Sequence, residues 1–576
     1  MIVWERFFGD GLVMRLLGCG QCAAWAGVCC IGAALVSCFG AAEAHAATCS
    51  VVQHGAPSDA DKAFLAGNYK KAGDLYRAEL AANPGAPEAT EGLVRALLRD
   101  QQVQQAADTV NTALAAAPHS AALLTLRGEV ELREGEPWTA AATMDQSMAL
   151  DPCNPQTHLL AAELWRVNSM YASARRSLLT AHQLDPEDPV IRRQWMMTLP
   201  IQERIAAMET YLASPEGDDA EELRSLRNEL DHWKKMETEP RKPCRLASKT
   251  DTTEIPIVRL MSDANHARGL GLDVKLNGED SQLQIDTGAG GLLVTRAVAK
   301  RAKLQAFSQV EVGGIGDEAE KAGYAAFADK IQIGGMEFED CPVAVVEGTR
   351  LSGMDGLIGA DVFSDFLVTL DYPGRKLILG PLPARPETGA AESPQLKLGN
   401  EEEDEAAASQ TAEKGSGPAQ QSAHGHFDRY IAPEMQEYTK VYRVGPHLIL
   451  PAALNGSKVK LFILDTGAFT TIISPEAARE VTKVRSGSDL QVTGLNGNVE
   501  KLYTADNITF RFAHLSQNVE QAIAFDTSNV SKSEGMEISG FLGFTALFQL
   551  TLHIDYRDGL VKFDYDPKRV QRVPGW

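Results

Sequence analysis

The chain has 576 residues, 44% of them hydrophobic, and a formal net charge of −22. That length exceeds what one hydrophobic core can hold, so three or four domains are expected. The acidic balance excludes a nucleic-acid-binding surface, which needs clustered basic residues.

Residues 1–46 read as a signal peptide or N-terminal anchor. No Asp, Glu, Lys or Arg occurs from Leu16 to Ala42, directly after Arg15. Ala44-His45-Ala46 then has the small-x-small form of a cleavage site. Leu35-Val36-Ser37-Cys38 also resembles a lipoprotein processing box, and the run is long enough to stay as an anchor. All three fates export the protein, to the periplasm or the extracellular space, with membrane contact only through this segment. Five of the nine cysteines lie inside it, leaving Cys49, Cys153, Cys244 and Cys341. No two of these are close enough in sequence for a zinc site, and no metal or cofactor is expected. One or two disulfides, in any of three full pairings, or buried free thiols all remain open.

The next segment is periodic. Pro84, Pro118, Pro152 and Pro186 are each 34 residues apart, as are Ala72, Ala106, Ala140 and Ala174. The same step links Tyr76, Val110, Met144 and Leu178, and the mostly small Ala60, Val94, Gly128 and Ala162. Small residues let two antiparallel helices approach, and each proline follows the end of a second helix. This pattern resembles the tetratricopeptide repeat. The family's early aromatic position holds Ala56, Thr90, Leu124 and His158 instead, so the repeats are divergent. An all-α solenoid over residues 50–235 is expected, ending in a partial repeat and a capping helix, with a concave face for a partner protein. Prolines and charges in 236–253 predict a linker.

Two matched β-type segments follow, at 254–383 and 428–572. The first contains Gln284-Ile285-Asp286-Thr287-Gly288-Ala289, and the second Ile463-Leu464-Asp465-Thr466-Gly467-Ala468. Each continues to a late apolar-apolar-Gly ending at Gly359 or Gly543, then to an Asp-Tyr pair at Asp371-Tyr372 or Asp555-Tyr556. The intervals from Asp286 to Gly359 and from Asp465 to Gly543 are 73 and 78 residues; those to Asp371 and Asp555 are 85 and 90. One five-residue insertion accounts for both differences, which marks a duplication.

These motifs resemble those of the aspartic proteases, in particular retropepsin-like members. The resemblance implies an all-β two-lobed fold and hydrolysis of peptide bonds in a peptide or protein substrate. Asp286 and Asp465 would be the catalytic pair, and Thr287, Gly288, Thr466 and Gly467 would support the loops that carry them. Gly313 and Gly314 in the first lobe, with Gly494 and Gly497 in the second, would lie in flaps over the substrate. Two carboxylates sharing one site cannot both ionise, so one serves as base toward water and the other as acid toward the carbonyl oxygen. The first loop reads Asp-Thr-Gly-Ala-Gly-Gly where the second reads Asp-Thr-Gly-Ala-Phe-Thr. The added glycines predict a looser first loop. Residues 384–427, with the acidic run Glu401–Glu405 and no apolar period, predict a disordered acidic linker. That linker permits the lobes to pair within one chain or between chains. The alternative function is an exported scaffold whose protease-like lobes hold a peptide without cutting it.

Overall fold

A computed structural model describes residues 4–6, 49–215, 220–239, 242, 244–248, 252–261, 267–316, 321–346, 353–386, 427–456, 458–487, 492–495 and 497–569. Residues 1–46, expected to be a signal or anchor, apart from 4–6, and nearly all of 384–427, expected to be a disordered linker, lie outside the described residues.

The 34-residue period becomes helical hairpins. They are α1 (Asp59–Leu65) with α2 (Tyr69–Ala82), α3 (Pro87–Arg99) with α4 (Val103–Ala116), α5 (Ala121–Arg133) with α6 (Pro137–Leu150), and α7 (Pro155–Val167) with α8 (Tyr171–Leu184). A further pair, α9 (Pro189–Met196) and α10 (Ile201–Ala213), precedes the long last helix α11 (Ala220–Thr238). Proline opens α3, α6, α7 and α9, where its fixed φ suits a helix and its missing N–H costs nothing. Asn154 and Asp188 cap α7 and α9, each accepting two backbone N–H bonds. The turn inside each hairpin uses one left-handed residue: Gly67, Gln101, Gly135 and Ser169, at φ 71°, 58°, 75° and 58°. At the small series the packing is tight, since a Cβ on Gly128 would come within 2.7 Å of Leu160.

Residues 236–253 are more than a linker. Helix α11 extends into them as far as Thr238, and Arg245–Leu246 pairs antiparallel with the strand Met336–Val346. Cys244 is disulfide-bonded to Cys341 of that same strand, and Cys49 to Cys153 in the turn between α6 and α7.

Each β lobe places its aspartate at the end of a central strand. In the first, Glu279–Asp286 lies between Ala267–Leu276, antiparallel, and Gly356–Gly359, parallel, with Gly359 opposite Asp286. In the second, Val459–Leu464 lies between His447–Leu454 and Gly540–Leu542 in the same manner. The lobes join through a six-stranded antiparallel sheet to which each contributes three strands. Phe366–Asp371 of the first lobe pairs with Leu550–Asp555 of the second, Val368 opposite Ile554 and Leu370 opposite Leu552. Both lobes contribute to one buried core above this sheet, so they face each other within one chain.

The solenoid is docked on the lobes. Leu132, Met144, Leu160 and Leu164 of α5–α7 share a buried cluster with Ile449, Leu461, Ile463, Ile538 and Phe541 of the second lobe. Polar contacts flank it: the Glu537 N–H donates to the Arg133 carbonyl at 3.0 Å, and Asp428 accepts from the Ser173 N–H and hydroxyl at 2.9 and 2.8 Å. Helix α11 reaches the first lobe, where Lys235 Nζ donates to the Phe307 carbonyl at 2.7 Å and His232 Nδ1 lies 2.8 Å from Ser308 Oγ. Among the described residues no helix is long and apolar enough to cross a membrane.

Candidate active site

Asp286 and Asp465 end equivalent strands on opposite sides of the lobe interface, and each meets the other's loop. A Cβ placed on Gly467 would lie 2.3 Å from Asp286 Oδ2, and one on Gly288 would lie 2.7 Å from the Asp465 carboxyl carbon. Any side chain at either glycine would separate the two carboxylates.

The following threonines lock this arrangement reciprocally. Thr287 Oγ1 donates to the Leu464 carbonyl at 2.7 Å and accepts from the Thr466 N–H at 3.0 Å. Thr466 Oγ1 donates to the Ile285 carbonyl at 3.3 Å and accepts from the Thr287 N–H at 3.0 Å. All of these groups are buried, so each bond left unmade would expose a desolvated polar group.

Two similar carboxylates differ in their solvation by the backbone. Asp465 Oδ1 accepts from the N–H groups of Gly467 and Ala468, at 2.8 and 2.9 Å. Asp286 Oδ1 accepts from Gly288 at 2.9 Å, while the Ala289 N–H turns to the Asp286 backbone carbonyl. Burial raises both carboxyls above the usual range; repulsion from Asp465 adds to it at Asp286, and the two N–H donors oppose it at Asp465. The pair therefore titrates as a unit and holds one proton above the ordinary carboxylate range, and the second N–H donor favours the charge on Asp465.

Of the four glycines expected in flaps, Gly314 and Gly494 lie where the two turns meet. Gly313 and Gly314 follow the strand Gln305–Val312, and Gly494 pairs with Gly497 in a two-stranded turn. A Cβ on Gly314 would meet Leu495 Cβ at 2.9 Å, and one on Gly494 would meet the Ile315 carbonyl oxygen at 2.2 Å. The two tips thus touch each other, one from each lobe.

The loop expected to be loose is braced from outside itself. The Gly291 N–H, on a residue with φ 62°, donates to Asp361 Oδ1 at 2.9 Å. Gly290 packs against Pro446, and the Gly288 carbonyl lies 3.0 Å from His447 Nε2. Sequence reasoning missed His447. A signal existed: Leu-Asn-Gly recurs at Leu276–Gly278 and Leu454–Gly456, and counting back from it aligns His447 with Gly269. The two lobes thus differ at a position beside the dyad.

Residues 272–365 match the family described as "gag-polyprotein putative aspartyl protease", residues 450–546 match "aspartyl protease", and residues 63–130 match a tetratricopeptide repeat family. The chain carries a tetratricopeptide-repeat region and two aspartic-protease-family domains. Among solved structures, an aspartic proteinase from Irpex lacteus is 11% identical, over 55% of this chain and 98% of that one, with a TM-score of 0.29. A thermophilic TPR protein of Thermus thermophilus is 23% identical, over 29% of this chain and 91% of its own, at a TM-score of 0.23. A tetratricopeptide repeat protein from Parabacteroides merdae is 16% identical, over 29% and 66%, at 0.22. No curated protein sequence matches the chain. Among the described residues no group of three or more His, Cys, Asp or Glu is placed to hold a metal ion.

Proposed function

We propose that the chain is an exported aspartic endopeptidase whose catalytic pair is Asp286 and Asp465. The carrying observation is the reciprocal threonine bonding, which holds two buried carboxylates against each other's glycine loops. Charged Asp465 takes a proton from a water between the carboxylates as that water attacks the scissile carbonyl carbon. Protonated Asp286 gives its proton to the carbonyl oxygen, forming a neutral gem-diol; the amine then leaves with a proton and the dyad returns to its singly protonated state. An extended peptide would lie beneath the tips at Gly313-Gly314 and Gly494–Gly497, which part to admit it. A shared proton retained to higher pH moves the activity maximum upward, to about pH 5–6. Export is supported by the charge-free run before Ala42 and by the two disulfides, which persist in oxidising compartments. The solenoid surface left uncovered by the lobes would bind a protein partner.

The test is incubation of the purified chain with a denatured protein mixture, with and without an active-site-directed aspartyl protease inhibitor, reading new N-termini by mass spectrometry. Inhibitor-sensitive cleavage is expected. Retention of peptides without new termini would replace the enzyme with a binding scaffold.

A further inference from the structure

His447 opens the strand His447–Leu454 in the second lobe, and its ring crosses to the first. Nε2 lies 3.0 Å from the Gly288 carbonyl oxygen, and Nδ1 lies 2.9 Å from Glu534 Oε1 at the end of the helix Ser528–Glu534. A carbonyl oxygen can only accept, so Nε2 must carry a proton. A carboxylate also only accepts, so Nδ1 must carry one as well, and the ring that satisfies both partners is the imidazolium. Glu534 is buried, and its other oxygen has no hydrogen-bond partner among the described residues, so the imidazolium is its principal compensation there.

The charged groups around the ring are consistent with that state. Glu534 faces it from one side, and Asp465 and Asp286 of the dyad interact with it from the other. Arg443, on the neighbouring strand Tyr442–Val444, turns its guanidinium to the carbonyls of Gly445 and Tyr556. Burial opposes the charge on His447, but Glu534, the Gly288 carbonyl and Asp465 outweigh it and raise the ring above its ordinary range. The first lobe has Gly269 at the equivalent place, which carries no side chain to reach the second loop.

We propose that His447 is a positioning residue of the dyad: as an imidazolium held by Glu534 it pins the Gly288 carbonyl, and with it the loop that carries Asp286. The proposal rests on the dyad being catalytic only for its consequence in rate. As pH rises through the His447 range, the ring keeps the Nδ1–H that faces the Glu534 carboxylate, and Nε2 loses its proton and presents a lone pair to the Gly288 carbonyl oxygen. Two acceptors then face each other, the Gly288 carbonyl is released, and the loop loosens. The alkaline limb of the activity would then include this group as well as the dyad's own proton.

Two measurements on the full chain test this, one of them independent of cleavage. Backbone hydrogen exchange of the peptide spanning residues 286–292, corrected for intrinsic rate, is followed from about pH 6 to about pH 9. Wild type should be protected at the lower pH and lose protection at the higher. His447→Ala should be unprotected throughout, and His447→Gln, whose amide still donates to Gly288, should keep partial protection with no pH dependence. In cleavage assays His447→Ala should lose about 100-fold in kcat with KM within about two-fold, and His447→Gln about ten-fold. Both alkaline limbs should move to higher pH, because a cation that stabilised the dyad's charge is gone. Unchanged protection in His447→Ala, or a pH profile superimposable on wild type, overturns the proposal. If wild type shows the exchange behaviour but cleaves nothing, the pinning stands and the enzymatic reading fails.

Discussion

Gln282 and Gln284 in the first lobe occupy the places that Leu461 and Ile463 hold in the second. Both pairs point away from their lobe's own core, because Leu283 and Ile285, or Phe462 and Leu464, fill the alternate inward places. In the first lobe the outward face is polar and meets solvent at Gln282; in the second it is apolar and lies under α5–α7. The duplicated strand has therefore changed in polarity in one register only, the one that in the second lobe meets the solenoid. A similar split marks the active-site loops. The second loop is held by two of its own N–H groups on Asp465, by the Gly543 N–H on buried Thr471, and by the Phe544 and Thr545 N–H groups on the Ala468 and Phe469 carbonyls. The first depends on Asp361, Pro446 and His447 lying outside it. The second lobe carries the docking face and also lends Pro446 and His447 to the loop of the first.

The largest effect expected falls equally on both lobes. Asp286→Asn and Asp465→Asn should each lower kcat by at least about 1000-fold with the fold retained, because the shared proton makes the pair one unit. Circular dichroism and a peptide-cleavage assay check this; substantial turnover in one variant would make the lobes chemically unequal. The docking difference should break next. Ile463→Gln places an amide in the dry seam under the solenoid and should cost about 2–4 kcal/mol in urea unfolding, whereas Gln284→Ile should change stability by no more than about 0.5 kcal/mol. Equal costs would mean that the seam does not hold the domains.

Thr287→Val and Thr466→Val each leave buried backbone groups of the opposite lobe unpaired, and each should cost about 1–3 kcal/mol with lowered kcat. The smallest expected effect is a stability gain with a defined sign. The Asp286 carboxyl is raised above its unfolded value by burial and by Asp465, so its contribution to stability is complete below the unfolded Asp range and lost as pH rises through the folded value. Asp286→Asn removes that loss. Its Tm should exceed wild type by about 2–5 °C at neutral pH and converge with it near about pH 3.

Much of this was legible in the sequence, for physical reasons that can be named. The prolines at a fixed 34-residue step mark helix ends because proline cannot continue a helix, and the hairpins follow that period. The Asp-Thr-Gly copies stood out because close approach of two loops tolerates only glycine at Gly288 and Gly467. The left-handed turns escaped notice because Gln101 and Ser169 adopt a conformation that usually signals itself by glycine. Docking of the solenoid was present as a hint, since Leu461-Phe462-Ile463-Leu464 is apolar on both faces where Gln282-Leu283-Gln284-Ile285 alternates. Such a run says that a strand is covered twice without saying by what. The Leu-Asn-Gly repeat marks His447 as a departure from Gly269, but its partners Gly288 and Glu534 are 159 and 87 residues away, and no local pattern encodes them.

The most direct measurement mixes the two inactive variants. Asp286→Asn and Asp465→Asn chains, combined in equal amounts and left to equilibrate, are assayed for peptide cleavage against each alone. If the dyad forms inside one chain, across the sheet that joins Phe366–Asp371 to Leu550–Asp555, every dyad in the mixture keeps one Asn and activity stays at the level of the single variants. Recovery of activity on mixing, rising with total concentration, would show that the working pair is assembled between chains and would contradict the intrachain site.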